Sequence, residues 1–451
     1  MAKNMTEGKP LPLIMEFAVP LLIGNVLQQT YNIIDAAIVG RALGPDALAS
    51  VGASSSVQFL VLGFCIGIAC GFGVPIAKSF GGGNLREMRN YIFHAMFLTA
   101  VFAVILTAFC AILCPQILHI LSTPDKIYQD AYRYLLVLFL GIPFTLLYNL
   151  MSSILRSVGD SRTPFIFLAI STVLNIILDI VCIMIWKWGC AGAAIATITA
   201  QAVSGILCCI YIRKKVPLLQ LTKDDCLLQM RGLRIMITMG VPMGLQYSIT
   251  AIGSMVMQHA NNSLDNVVYV SAFTAAMRLK QFFMCAFDAI ATGVSVFCSQ
   301  NLGAGKLNRI KKGLFQGVCV AVGYGFCAGV LLIFTGRFLC LIFISGDKVE
   351  VLDAASKYLF CQGFFFWCLG ILNVCRMTTQ GLGYSGRAVF SGVTEMIARI
   401  VVSLLFVPAY GYTAICFADQ TAWMSACIYI LPVCLLCLNK VMREYGSTVK
   451  S

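Results

Sequence analysis

Charge is what this sequence has least of. Asp, Glu, Lys and Arg together make up 11% of its 451 residues, where soluble domains carry about 25%. Histidine is nearly absent: His94, His119 and His259 lie far apart and offer no metal-ligand spacing. No Ser-His-Asp or Cys-His constellation stands near the end of an apolar run, which argues against an enzyme. Gly81-Gly82-Gly83 lacks the Lys-Ser/Thr and the preceding strand of a phosphate loop and reads as a turn. No removable signal peptide is apparent, because the first apolar stretch runs from about Leu11 to Val39 without a small-residue cleavage site. Cysteine is the exception to this scarcity. The 21 cysteines are scattered through apolar segments, with Cys208 and Cys209 the one adjacent couple, and Cys434-x-x-Cys437 has leucines between its cysteines and no second C-x-x-C. They read as buried, reduced thiols serving as small hydrophobes.

What the sequence does have is apolar length. Hydrophobic residues make up 59% of it, more than a soluble fold of this size can bury. The chain is therefore expected to be an all-α polytopic membrane protein in a lipid bilayer. About 12 spans centre near residues 25, 62, 102, 144, 175, 201, 247, 283, 325, 368, 398 and 425. The net charge of +13 distributes over the connections in alternation. Basic residues favour one side, which holds both chain ends, by about three to one. This puts both termini in the cytoplasm and leaves no need for a nucleic-acid partner.

The halves repeat. At an offset of 222 residues Val19-Pro20 falls on Val241-Pro242, Ile68-Ala69-x-Gly71 on Ile290-Ala291-x-Gly293, and Gly81-x-Gly83-x-Leu85 on Gly303-x-Gly305-x-Leu307. At 224, Tyr134-Leu135 falls on Tyr358-Leu359, Asn149 on Asn373, and Gly159-x-Ser161 on Gly383-x-Ser385. A duplicated unit of six spans, an even number, enters the membrane from the same side each time, so the repeat is parallel with a pseudo-twofold axis along the membrane normal. We expect a first lobe over residues 1–212, a basic cytoplasmic linker over 213–234 and a second lobe over 235–451. This is a transporter architecture.

Ionisable groups at membrane depth each cost roughly 2.5–3.5 kcal/mol on insertion scales, which makes them candidates for function. Asn175 and Asp179 share one helix face at i, i+4, as do Tyr31 and Asp35, with Asn32 beside them, and Thr197 and Gln201. Two carboxylates among such donors suit a shared proton or a small cation held by oxygens. The alternative is that each Asp only satisfies local backbone or packs as a hydrogen-bonded pair. The repeat replaces Asp35 by Met257, Asn175 by Arg399 and Asp179 by Ser403, so the fold does not demand the acidic pair. In the second half, Glu395 and Arg399 are expected to pair with each other. Asp288 with Arg278 or Lys280, and Asn373, Arg376 and Gln380, are candidates to line the path. Pro20 and Pro242 interrupt spans 1 and 7, where a missing hydrogen bond permits a kink.

Tyr31-Asn-x-x-Asp35-x-x-x-Val39-Gly40-x-x-x-Gly44, then Ala47-Leu-Ala-Ser-Val-Gly52, resembles the first span and loop of multidrug and toxic compound extrusion (MATE) transporters. Leu155-Arg-x-x-Gly159-Asp160 and Leu174-Asn175-Ile-x-Leu-Asp179 resemble the DinF-like branch. The resemblance implies a prokaryotic cell-membrane antiporter, here expected as a monomer, that exports organic cations and amphipathic compounds by alternating access. It implies no cofactor and a coupling ion, H+ or, as the alternative, Na+. The implied ion site is Asp35, Asn175, Asp179 and Thr197, with no other metal. No acid lies between Met236 and Ala260, where the NorM-like branch has one. Two other readings stand beside this: a lipid-linked precursor flippase of the same superfamily and, remotely, a polytopic membrane enzyme.

Overall fold

Lipid offers no partner to a backbone N–H or C=O, so each spanning segment must close its hydrogen bonds along itself. Every regular element among the described residues is accordingly helical. The computed structural model describes residues 3–120 and 123–448. Lys450, one of the basic residues near the C-terminus, lies outside the described residues, as do the side chains of Leu48 and Ala49 in the Ala47–Gly52 stretch.

The helices run α1 Pro10–Leu43, α2 Pro45–Gly81, α3 Leu85–Ile120, α4 Asp125–Leu140, α5 Ile142–Ser157, α6 Arg162–Asp179, α7 Gly189–Lys215 and α8 Met230–Asn262. They continue with α9 Val267–Gly303, α10 Leu307–Cys340, α11 Val349–Gly363, α12 Phe366–Gly381, α13 Ser385–Val401, α14 Val407–Tyr410 and α15 Tyr412–Thr448. Among the described residues, ten helical stretches are long and apolar enough to cross a bilayer, and two bent pairs, α4 with α5 at 45° and α11 with α12 at 56°, bring the number to 12 when each pair is one span. At the first break Gly141 is followed by Ile142-Pro143, and the proline has no N–H to carry α4 onward.

The linker is shorter than its basic composition suggests. α7 continues through Lys215 and α8 starts at Met230, because helices do not stop where the apolar residues do. Between them, Thr222 donates its N–H and hydroxyl to Asp225 at 2.9 and 2.7 Å. That hydrogen bond, with Arg89 and Arg86 nearby, holds the Asp225 carboxyl below the usual carboxylate range. Asn90 of α3 donates to the linker's carbonyls of Asp225 and Leu227, and His94 of α3 accepts the Gln229 N–H on Nε2 at 2.9 Å.

The repeat is visible in how helices end. Gly83 and Gly305, at φ +72° and +67°, and Gly159 and Gly383, at +82° and +93°, each turn a chain out of its helix. In all four turns the next N–H reaches five residues back: Asn84 to Ser79, Lys306 to Asn301, Asp160 to Leu155 and Tyr384 to Thr379. This is a Schellman closure, and its left-handed residue favours glycine.

The chain forms two compact units: residues 1–4 with 23–244, and residues 5–22 with 245–451. The boundaries differ from the lobes drawn at 1–212 and 235–451. The start of α1 belongs to the second unit and the start of α8 to the first, and each helix changes unit two residues after its proline, Pro20 or Pro242. Both helices run through those prolines as single elements. Within the first unit, α2 presents Gly67 and Gly71 to Gly244 and Gly240 of α8. A Cβ on Gly71 would stand 2.6 Å from the Gly240 Cα. Within the second unit Gly293 of α9, the repeat equivalent of Gly71, lies against the Ile14 carbonyl of α1. Small residues four apart let membrane helices approach closely enough for dispersion to hold them.

Candidate functional site

In the first unit, α1, α6 and α7 bring together the polar residues that the sequence singles out. Asp179 is fully buried and Asn175 nearly so, while Asp35 and Tyr31 are half-buried. Asp35 and Asp179 meet carboxyl to carboxyl. Tyr31 Oη and Thr197 Oγ1 are 3.0 Å apart, and Asn175 Nδ2 donates to the same Oγ1 at 3.5 Å. Thr197 thus ties the tyrosine of α1 to the asparagine of α6. No donor among the described residues reaches Asp35 Oδ1, either oxygen of Asp179, or Asn175 Oδ1. A buried acceptor left without a donor costs about 1–3 kcal/mol, and two facing carboxylates add repulsion. A proton between the acids, or a small hard cation among the four oxygens, removes both costs. The residues present therefore fit H+ and Na+ alike.

Other first-half candidates sit less centrally. Gln201 is half-buried with Oε1 unpartnered, and Asn32 is exposed. Tyr134 of α4 is a residue the sequence reading missed. It is buried and lies within electrostatic reach of both Asp35 and Asp179. Its signal was present, since Tyr134-Leu135 anchors the repeat, but a tyrosine in an apolar run announces no role by itself.

Asp179 also ends α6. Residues Ile180–Ile185 form a π-helix, in which the Trp186 N–H donates to the Val181 carbonyl at 2.9 Å. A second π-helix, Val402–Phe406, follows α13 at the repeat-equivalent position. Such wide turns are rare and gather at functional sites.

The second unit is built differently. Arg376, Glu395, Arg399, Asp419 and Lys280 form one buried chain of alternating charge. Arg376 pairs with Glu395, Glu395 with Arg399 at 3.3 Å, Arg399 with Asp419 at 3.0 Å, and Asp419 with Lys280 at 2.6 Å. Tyr358 and Gln362 donate to the same Asp419 oxygen at 2.7 and 3.0 Å. The expected Glu395–Arg399 pair is present, but inside a larger network. Lys280 does not pair with Asp288, because Asp419 on α15 takes it. Asp288 and Arg278 are exposed, and Arg376 is the charged neighbour that Asp288 feels. Asn373 is buried with Nδ2 unpartnered, and Gln380 donates to Gln246.

The MatE family pattern matches this chain twice, over residues 20–181 and 242–405, starting at Pro20 and at Pro242. The chain is 27% identical over 432 residues to the "Probable multidrug resistance protein YpnP" of Bacillus subtilis (strain 168), covering 94% of this chain and 91% of that one. To "Probable multidrug resistance protein YoeA" of the same organism it is 29% identical, covering 84% of each. Among solved structures it is similar in fold to an outward-facing multidrug resistance MATE family transporter of the MOP superfamily. That likeness has a TM-score of 0.91 at 18% identity and covers 97% of this chain and 98% of the other. The twofold match, with 12 spans in two repeated halves, shows that the chain belongs to the MatE family of membrane transporters.

Proposed function

We propose that this protein is a cation-coupled efflux antiporter of a prokaryotic cell membrane, with both termini cytoplasmic. It exports organic cations and other amphipathic drugs or metabolites in exchange for protons, by alternating access. The observation that carries this reading is the set of unpartnered oxygens on Asp35, Asn175 and Asp179. A proton arriving from outside binds between the two acids and relieves their repulsion. The first unit then rearranges and releases substrate, and loss of the proton inside resets it. Thr197 keeps Tyr31 tied to Asn175 throughout. The multidrug resistance names of the relatives support export of small molecules, and the acidic pair supports a cationic class.

Na+ is the second reading, favoured by the Asn175 carbonyl oxygen, a neutral ligand that a proton does not need. Everted vesicles separate the two. Asp35→Asn and Asp179→Asn should each lower export driven by an imposed pH gradient at least tenfold. Export that survives in both variants overturns the role given to these acids, and export driven by a Na+ gradient at constant pH overturns the choice of ion.

A further inference from the structure

Six of the cysteines in the second unit are not scattered at all. Cys361 on α11 and Cys368 and Cys375 on α12 recur every seven residues. Cys416, Cys427 and Cys434 on α15 are spaced eleven and seven. Both seven and eleven residues bring an α-helix back to nearly the same face. Cys416, Cys427 and Cys434 therefore share one face of α15, Cys368 and Cys375 share one face of α12, and Cys361 stands on α11 beyond the 56° bend. Cys361 contacts Cys416 thiol to thiol, and Cys375 contacts Cys434 in the same way. Between them Cys368 donates to Cys427 Sγ at 3.4 Å, and Cys427 donates to the Cys368 carbonyl at 3.3 Å. Cysteines kept only as small apolar filler need volume, not three successive thiol-to-thiol contacts along α15.

We infer that the Cys368–Cys427 pair is an oxidation site, where a small two-electron oxidant of the peroxide class closes a disulfide that ties α12 to α15 and halts transport. Two S–H bonds break and one S–S bond forms. The two sulfurs give up two electrons and two protons, and hydrogen peroxide takes these up to become two water molecules. The sulfurs start 3.4 Å apart and finish at about 2.05 Å, a shift within reach of small side-chain rotations. Both thiols are buried, at 4% and 6% exposure, which admits a small neutral oxidant and excludes a bulky one. The bond would join the helix that carries Arg376 to the helix that carries Asp419, fixing two members of the charge network against each other. The halt of transport rests on the antiport reading above, whereas the bond itself does not.

The test uses the full-length protein in membrane vesicles treated with hydrogen peroxide, then with N-ethylmaleimide to trap free thiols. Digestion without reductant should yield a Cys368–Cys427 linked peptide by mass spectrometry. Export of ethidium, a fluorescent amphipathic cation, should fall at least fivefold and return after dithiothreitol. Cys368→Ser and Cys427→Ser should export at the wild-type rate with and without peroxide. Absence of the linked peptide overturns the site, and this readout needs no transport. A linked peptide without loss of export, or equal loss in the serine variants, overturns the brake.

Discussion

A buried carboxylate is costly unless something answers its charge, and the two units answer in opposite ways. Asp419 has Lys280, Arg399, Tyr358 and Gln362 around it. Asp179 has another acid beside it and no donor to either of its oxygens among the described residues. The first arrangement is held shut by its own pairs, and the second stays open to an incoming cation. Asp419→Asn should therefore harm stability before function: it strands Lys280 and leaves Arg399 with Glu395 alone, and breaking a buried pair costs about 3–5 kcal/mol. The unfolding midpoint in detergent should fall by several degrees, and an unchanged midpoint would count against the network as a structural clasp. Asp35, Asn175 and Asp179 were legible in the sequence because a carboxylate is rare in an apolar run and its partner sat four residues away. Lys280 and Asp419 are 139 residues apart, and no local spacing could have matched them. The thiol pairs escaped for the same reason, Cys368 and Cys427 being 59 residues apart.

Elements here are set by two patterns of very different visibility. Apolar length shows every span, and each expected centre falls on a helix or a bent pair. Glycine motifs show where helices turn, because a left-handed turn demands the residue itself. The π-helices after Asp179 and Val401 leave no such mark, since a wide turn depends on how the neighbouring helices seat it. Close packing between helices is legible only in part: Gly67 and Gly71 form a small-residue motif, but nothing local says that Gly240 and Gly244 receive it. Gly71→Leu should disrupt that seam, because the intruding side chain meets the Gly240 backbone, which cannot move aside. Yield of folded monodisperse protein in size-exclusion chromatography should drop severalfold. Gly386→Ala, with nothing within 4 Å of its added carbon, should leave it unchanged. Equal behaviour of the two variants would show that the seam carries little of the stability.

At the scale of the molecule, the duplication does not yield two halves that are complete by themselves. Residues 5–22 belong to the second unit, and α8 up to Gly244 belongs to the first. Fragments 1–229 and 230–451, expressed separately, should be degraded or aggregate, because each lacks half a helix of its own core. Expressed together they should recover folded protein that co-purifies. A stable fragment alone would contradict the exchange. The sequence repeat showed the duplication, but the internal matches only align the halves and cannot say which unit a half-helix joins. The exchange also sets a clock on biosynthesis. Ile14 leaves the ribosome nearly 280 residues before the Gly293 it packs against. At about 5–20 residues per second, that is a delay of roughly 15–60 s. During it the opening helix has no protein partner from its own unit, and lipid or the insertion machinery must shelter it until the second half arrives.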